Sequence, residues 1–200
     1  MWATGTVIVL LFSLLAGCAS APSGNAPRQG PQEVSRTFQA CFAESKLPWL
    51  VSVVAADKSN TKPLEKLVAD FVGGSAADQQ RALSYLNDLR LKKYASGEEM
   101  AGAHFQACMA WSSAEKFEPS RSISCYKEQR LIFALEVLRF DNNVGMAEAT
   151  PHLIKANPSA DGSTESVIRR LAKDTYTILT PGGESAFSEA QFRLCMTSNP

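Results

Sequence analysis

Cysteine thiols are the side chains in this sequence with the widest range of chemistry. The chain of 200 residues contains 5 cysteines and 2 histidines, and a thiol can form a disulfide, bind a metal or act as a nucleophile. No two cysteines form a C-x-x-C pair, which weakens both a zinc site and a thioredoxin-like redox site. Apart from Cys18, they are Cys41, Cys108, Cys125 and Cys195.

The two histidines offer little acid–base or metal chemistry. His104 and Cys108 are four residues apart and would share one helix face, but a metal site needs three or four ligands. The sequence also lacks a zinc-protease motif, a nucleophile elbow and a phosphate-binding glycine loop. We therefore predict no metal site, no cofactor and no catalytic centre.

One acidic fragment resembles a catalytic motif. The segment Gly-Glu-Ser-Ala-Phe at 183–187 resembles the glutamate motif of lytic transglycosylases, in which the glutamate is the catalytic acid. That family continues with a proline turn and a Gly-Leu-Met-Gln segment, whereas a predicted helix follows here. We interpret Glu184 as an acidic residue that complements the dipole at a helix N-terminus. A peptidoglycan-active enzyme using Glu184 is the second alternative function.

The amino terminus has the pattern of an export signal. Residues 7–12 form an unbroken apolar run, which is too short to span a bilayer and has the length of a signal-peptide core. Shortly after it, Leu15-Ala16-Gly17-Cys18 resembles the lipobox of bacterial lipoproteins. The resemblance implies that residues 1–17 are removed, that Cys18 is acylated, and that the protein is anchored to a membrane without spanning it.

The same resemblance predicts the compartment. In enterobacterial lipoproteins an aspartate after the cysteine retains the protein in the inner membrane, and here Ala19 follows the cysteine. We therefore expect the protein on the periplasmic face of the outer membrane. Residues 18–32 comprise the lipidated cysteine and a stretch rich in Ala, Pro, Ser and Gly, which we interpret as a partly extended tether.

The rest of the chain has the composition of a folded body. Hydrophobic residues make up 45% of the sequence, and 20 basic residues balance 20 acidic ones. Because neither sign of charge is gathered into blocks, we expect no nucleic acid partner. In an oxidising periplasm, the four cysteines other than Cys18 indicate two disulfides, for which three pairings are open.

Apolar residues recur at helical spacing through nearly all of this body, which predicts an all-α fold. The predicted helices cover 34–42, 64–72, 75–94, 96–111, 122–140, 163–178 and 187–195.

Prolines and serines mark the predicted helix starts. Pro48 would begin a helix over Trp49–Val54, which we favour over a strand despite its β-branched residues. Thr150-Pro151 would begin a short helix with proline at the first helical position. Serine N-caps are predicted at Ser75, at Ser96 in a capping box with Glu99, and at Ser163.

A repeated motif selects one disulfide pairing. The segment AHFQACM at 103–109 matches AQFRLCM at 190–196, and a Ser-Arg pair shortly precedes both Cys41 and Cys125. We infer two tandem copies of a four- to five-helix unit, residues 33–115 and 116–200. The first and last helix of each copy carry a cysteine. A duplicated unit repeats its internal crosslink, which predicts that Cys41 pairs with Cys108 and Cys125 with Cys195.

These features favour a binding protein over an enzyme. Trp49 and Trp111 are candidate partner-binding residues, because tryptophan is a favoured anchor at protein interfaces. We expect a membrane-anchored periplasmic lipoprotein, and specifically an immunity protein that inhibits a periplasm-acting toxin. The alternative is a pilotin-like assembly factor that escorts an outer-membrane secretion or pilus component.

Overall fold

The computed structural model describes residues 31–56, 62–72, 75–112 and 117–198. Within these ranges the chain forms eight α-helices and no β-strand, so the all-α prediction is confirmed. A π-helical turn, Val137–Asp141, follows α5 directly. The helices are α1 Pro31–Ala56, α2 Leu64–Val72, α3 Ala76–Arg90, α4 Gly97–Ser112, α5 Pro119–Glu136, α6 Met146–Ala156, α7 Ser163–Thr177 and α8 Glu184–Thr197.

The two halves of the chain use the same order of helices. In the first half α1 packs against α3 and α4, and α2 packs against α3. In the second half α5 packs against α7 and α8, and α6 packs against α7. One difference is that α1 also contacts α2, whereas α6 contacts the π-helical turn. The predicted boundary between the copies, after residue 115, lies outside the described residues and stays a prediction.

The first and last helices of both halves share one aromatic core. Phe42 of α1 stacks on Phe192 of α8 with 4.6 Å between ring centroids, and Phe105 of α4 meets Phe192 edge-on at 5.1 Å. Tyr126 of α5 packs against the same ring at 4.7 Å. The helices α1, α4, α5 and α8 therefore form a four-helix centre to which both halves contribute.

Two smaller apolar clusters flank this centre. One lies under α2 and α3 around Val68 and Leu86, and the other lies under α6 and α7 around Ile168 and Leu171. All four side chains are almost completely buried. The paired outer helices are thus held by apolar stripes that face α1 and α5, as amphipathic helices on a core require.

Two disulfides cross-link the four-helix centre. Cys41 is bonded to Cys108, which joins α1 to α4, and Cys125 is bonded to Cys195, which joins α5 to α8. These are the pairs that the repeated motif predicted. The bonded cysteines are 67 and 70 residues apart in sequence, and closing loops of that size contributes about 4 kcal/mol each in the chain-entropy model.

Two prolines lie inside helices, although the sequence analysis placed a helix start at each. Pro48 is inside α1 and Pro151 is inside α6. A proline removes the amide that would bond to the carbonyl four residues earlier. Those carbonyls belong to Glu44 and Ala147, which are both exposed, so water can take over each bond. Both helices continue through their proline, and Trp49–Val54 is helical as favoured.

Serine caps are present where they were predicted in the first half. Ser75 Oγ accepts a hydrogen bond from Asp78 N at 3.2 Å, and the Asp78 carboxylate accepts one from Ser75 N at 3.2 Å, which makes a complete capping box. Ser96 Oγ accepts from Glu99 N at 3.1 Å. The Glu99 carboxylate, however, accepts from the amide of Ala95, one residue earlier than a standard capping box.

Further predicted boundaries are wrong, among them those at α1, α3 and α7. Helix α3 ends at Arg90 rather than at Tyr94, because Lys92 adopts a left-handed conformation with φ 53°. Helix α7 begins at Ser163, and its N-cap is Gly162 with φ 69°. Helix α1 begins at Pro31, two residues inside the stretch predicted to be tether.

Candidate partner-binding groove

A groove runs along the exposed face of α5. Its larger part has a volume of about 580 Å³ and lies between α5, the first turn of α4 and the loop that joins α6 to α7. A smaller depression of about 280 Å³ continues it toward the end of α8, and the two parts share Ser124 and Glu128. The walls include Glu98, Lys127, Arg130, Leu131 and Val167 in the larger part, and Arg121, Arg170 and Leu194 in the smaller part.

The buried side of α5 fixes the position of the groove. Gln129 exchanges hydrogen bonds with α8: its amide donates to Ser188 O at 3.2 Å, and Ser188 Oγ donates to its carbonyl oxygen at 2.5 Å. On the α4 side, a Cβ on Gly102 would lie 3.0 Å from Ser122 Oγ, so the two helices cross closely. Helix α5 therefore has little freedom to shift, and the groove is preformed.

Ion pairs hold two of the groove's arginines. Arg130 Nη1 lies 3.1 Å from Glu98 Oε1, and Glu98 is only 4% exposed. Arg170 Nη2 lies 2.6 Å from Glu128 Oε2, and Arg170 Nη1 also donates to Gln191 Oε1 at 3.2 Å. These partners place the guanidinium groups at defined positions along the groove, where each can still offer further N–H donors.

Two further cations in the groove have no carboxylate partner among the described residues. Arg121 Nε donates to the carbonyl oxygen of Cys195 at 2.8 Å, and its Nη2 donates to the carbonyl oxygens of Cys195 and Ser198. Those acceptors are uncharged, so no described residue neutralises the positive charge of Arg121. Lys127 is exposed and makes no ion pair with any described residue. The groove therefore favours an acidic partner.

A second polar cluster lies between α1, α5 and α8, away from the groove. Burial raises the pKa of Glu136 to about 7, with Glu184 adding to the shift and Lys46 opposing it. Burial also lowers the pKa of Lys46, against the attraction of Glu136 and Glu189. One carboxylate oxygen of Glu136 is buried with no hydrogen-bond partner among the described residues. This cluster makes stability depend on pH, since a carboxyl group that titrates near neutrality is held inside the fold.

The two tryptophans that were predicted to bind a partner differ in exposure. Trp49 is 5% exposed and packs edge-on against Phe133, with 6.0 Å between ring centroids. It is a core residue, so its predicted role as a surface anchor is wrong. Trp111 is 92% exposed in the last turn of α4. Neither residue lines the groove along α5.

Glu184 has the environment of an acidic residue in the first turn of a helix. It is the first residue of α8, and its Oε1 accepts a hydrogen bond from Gly182 N at 3.0 Å. Hydrogen bonds from the backbone lower the pKa of Glu184. A catalytic acid needs a raised pKa to keep its proton at neutral pH, so the environment of Glu184 does not favour the transglycosylase-like role.

The histidine considered as a metal ligand packs among aromatic rings. The ring of His104 lies 4.8 Å from that of Tyr85 and 6.4 Å from that of Tyr94. Burial lowers the pKa of His104. Cys108, its neighbour on α4, is in a disulfide. In the part of the chain that the structure describes, no group of His, Cys, Asp and Glu is arranged to hold a metal ion.

The predicted lipidation site, Cys18, lies outside the described residues, as do the signal peptide at 1–17 and most of the tether. Among the helices of the described ranges, none is long and apolar enough to cross a membrane. No protein-family model matches the chain, and no curated protein or solved structure matches it. The interpretation of the groove therefore rests on its own geometry.

The groove was not predicted from the sequence. The local sequence signal of the groove is the charged stretch of α5 that contains Lys127, Glu128 and Arg130. A charged helix face is ordinarily just solvated surface. The opposite walls come from Glu98 and from the start of α7, which are about 30 residues away on either side. Only the packing of α4 and α7 against α5 turns that face into a concave surface.

Proposed function

We propose that this chain is an extracytoplasmic lipoprotein, acylated at Cys18, whose helical body binds a partner protein in the groove along α5. The observation that carries the proposal is the groove itself, in which salt-bridged arginines and two cations without a carboxylate partner among the described residues line a preformed concave surface. In this proposal the protein acts by binding and catalyses no reaction.

The lining of the groove suits a segment of protein. Leu131, Val167 and Leu194 supply apolar surface, and Leu194 is 49% exposed. From Arg121 to Leu131 the groove follows α5 for about 15 Å, at 1.5 Å per residue. A partly apolar surface with charged groups along it is typical of protein interfaces, in which arginine is enriched.

The role we propose is that of an immunity protein on the periplasmic face of the outer membrane. An inhibitor of a secreted toxin has to stay where the toxin arrives and has to present a rigid surface. Acylation of Cys18 would keep the body at the membrane. The two disulfides and the shared core make it rigid. An acidic segment of the toxin would occupy the groove.

Deletion of the gene in its native host tests this role. In dense co-culture the deletion strain should be killed by its parent, and the wild-type chain should restore survival. The variant Lys127→Glu should fail to restore it, because the reversed charge repels an acidic partner. The matched control Lys66→Glu changes an exposed lysine on α2, outside the groove, and should restore survival fully. Survival of the deletion strain without complementation would contradict the immunity role.

The groove also supports the alternative role of a pilotin-like assembly factor, because a groove between helices can hold an amphipathic helix of a client. The same deletion strain separates the two roles. An assembly factor predicts that the strain survives co-culture but that one of its outer-membrane secretion or pilus components fails to assemble. The Lys66→Glu variant should restore assembly of that component, and the Lys127→Glu variant should not.

A further inference from the structure

Trp111 is the most exposed large apolar side chain in the part of the chain that the structure describes. Its exposed fraction is 92%, and the next values are 62% for Leu91 and Ile178. It stands in the last turn of α4, which contains no basic residue. An indole has an apolar body and one N–H donor, and such side chains are favoured where one end is apolar and the other is wet.

The packing of α1 and α4 places Trp111 near the start of α1. Cys41 is bonded to Cys108, and Gly97 lies against Ser52. A step of eleven residues forward along α1 thus matches a step of eleven residues backward along α4, so the two helices are antiparallel. Continuing the same register puts Trp111 at the level of Phe38. That level is about 10 Å along the axis from the first residue of α1, Pro31, at 1.5 Å per residue.

The chain before α1 is short. Residues 19–30 separate Cys18 from Pro31, and a stretch of that length spans about 40 Å when fully extended. An acyl group on Cys18 would therefore keep the N-terminal end of α1 within about 40 Å of the bilayer. The C-terminal end of α4, with Trp111, lies at that same end of the four-helix centre.

We propose that Trp111 is a membrane-contact residue, which inserts its indole at the lipid–water interface of the membrane that holds the acylated Cys18. This inference rests on the proposed acylation. Tryptophan is enriched in membrane proteins at both membrane–water interfaces, because its ring is apolar and its N–H group is polar. The exposed Arg36, near the start of α1, adds a positive charge at the same end, which suits anionic headgroups. The body would then stand on the membrane on one defined end.

Tryptophan fluorescence tests the inference. After removal of residues 1–17 the protein has two tryptophans, the buried Trp49 and the exposed Trp111. The full lipoprotein is reconstituted into vesicles of phosphatidylethanolamine and phosphatidylglycerol whose acyl chains carry bromine, which quenches nearby indoles. The wild-type emission should fall relative to unbrominated vesicles, and the emission of Trp111→Phe should not.

A displaced tryptophan is the matched control. Leu91 is 62% exposed in the turn between α3 and α4, and therefore lies at the opposite end of α4 from Trp111. The double variant Leu91→Trp with Trp111→Phe should show no quenching. Equal quenching of that variant and the wild type, or no quenching of either, would overturn the membrane contact while leaving the lipoprotein assignment intact. Mass spectrometry that finds no acyl groups on Cys18 would overturn both.

Discussion

The ring of Phe105 meets the ring of Phe192 edge to face, with 5.1 Å between their centroids. These residues hold the same position in the two copies of the repeated motif, three residues before a disulfide-bonded cysteine. Phe42 and Tyr126, which each follow the first cysteine of their half, also lie parallel to one another at 6.4 Å. Equivalent residues of the two halves thus contact each other, as they do across the two-fold axis of a symmetric dimer.

Phe192→Ala is expected to destabilise both halves together. Its ring contacts aromatic side chains of α1, α4 and α5, and removing a buried phenylalanine costs about 3–5 kcal/mol. Denaturant unfolding should show one transition, shifted to lower concentration, and amide hydrogen exchange should accelerate in α1 and in α7. The control Ile178→Ala changes an exposed side chain and should leave the transition in place. Two separate transitions in the wild type would contradict a shared core.

Gly97→Ala is expected to separate α1 from α4. The new Cβ would lie 1.8 Å from Ser52 Oγ and 2.0 Å from Ser52 Cβ. Overpacking at such a contact costs about 1–3 kcal/mol, which thermal unfolding can measure. Adding Ser52→Gly removes both clashing atoms and should recover part of the loss. Gly145→Ala is the control, since its Cβ meets no atom within 4 Å. A Gly97→Ala variant that unfolds at the same temperature as the wild type would refute the close crossing of α1 and α4.

Replacing one disulfide by an alanine pair should weaken the fold without changing its architecture. Cys41→Ala with Cys108→Ala, and separately Cys125→Ala with Cys195→Ala, should each lower the free energy of unfolding by about 2–4 kcal/mol. The loops are of similar length, so the two losses should be similar. Guanidinium unfolding measures both. An unfolding midpoint that does not change when the wild type is reduced would show that neither bond stabilises the protein.

Glu136→Gln is expected to remove a pH dependence of stability. The pKa of Glu136 is raised from 4.5 in the reference state to about 7 in the folded protein. The folded state therefore binds the proton of Glu136 more tightly than the unfolded state does. Protonated Glu136 contributes its full share of stability below the unfolded-state pKa, and that share is lost as pH rises through the folded-state pKa. Between about pH 5 and pH 8 the free energy of unfolding of the wild type should fall by about 2 kcal/mol more than that of the variant, after allowance for the partial exposure of Glu136.

Urea unfolding at both pH values measures this difference. Glu148→Gln, on the exposed side of α6, is the control and should follow the wild type. The prediction fails if Glu136→Gln and the wild type lose the same amount of stability between the two pH values.

The helical fold and the crosslinks could be predicted because their signals are local or repeated. Apolar spacing located the helices, and the two copies of a Phe-x-x-Cys-Met motif selected the pairing from three alternatives. The helix starts predicted at the two prolines were wrong, because the free-energy cost of a proline inside a helix depends on what replaces the lost backbone hydrogen bond. At Pro48 and Pro151 the freed carbonyl belongs to an exposed residue, which the sequence does not reveal.

The candidate site was harder to predict. Trp49 and Trp111 have the same residue type, and only the packing of the helices makes Trp49 a core residue that contacts Phe133 and leaves Trp111 on the surface. The groove depends on how α4 and α7 flank α5, a relationship between segments far apart in sequence. Glu98, which is buried beside Arg130, looks from its sequence position like an ordinary acidic residue in the first turn of a helix.

The order of the crosslinks along the chain has a consequence for biogenesis. Each bond joins consecutive cysteines of the body, first Cys41 with Cys108 and then Cys125 with Cys195, so the two loops do not interleave. A chain that enters an oxidising compartment with its N-terminus leading can close the first loop before Cys125 arrives. With the thiol of Cys18 occupied by the proposed acyl group, oxidation of the other four thiols in the order in which they emerge yields the native connectivity, without a later step of isomerisation.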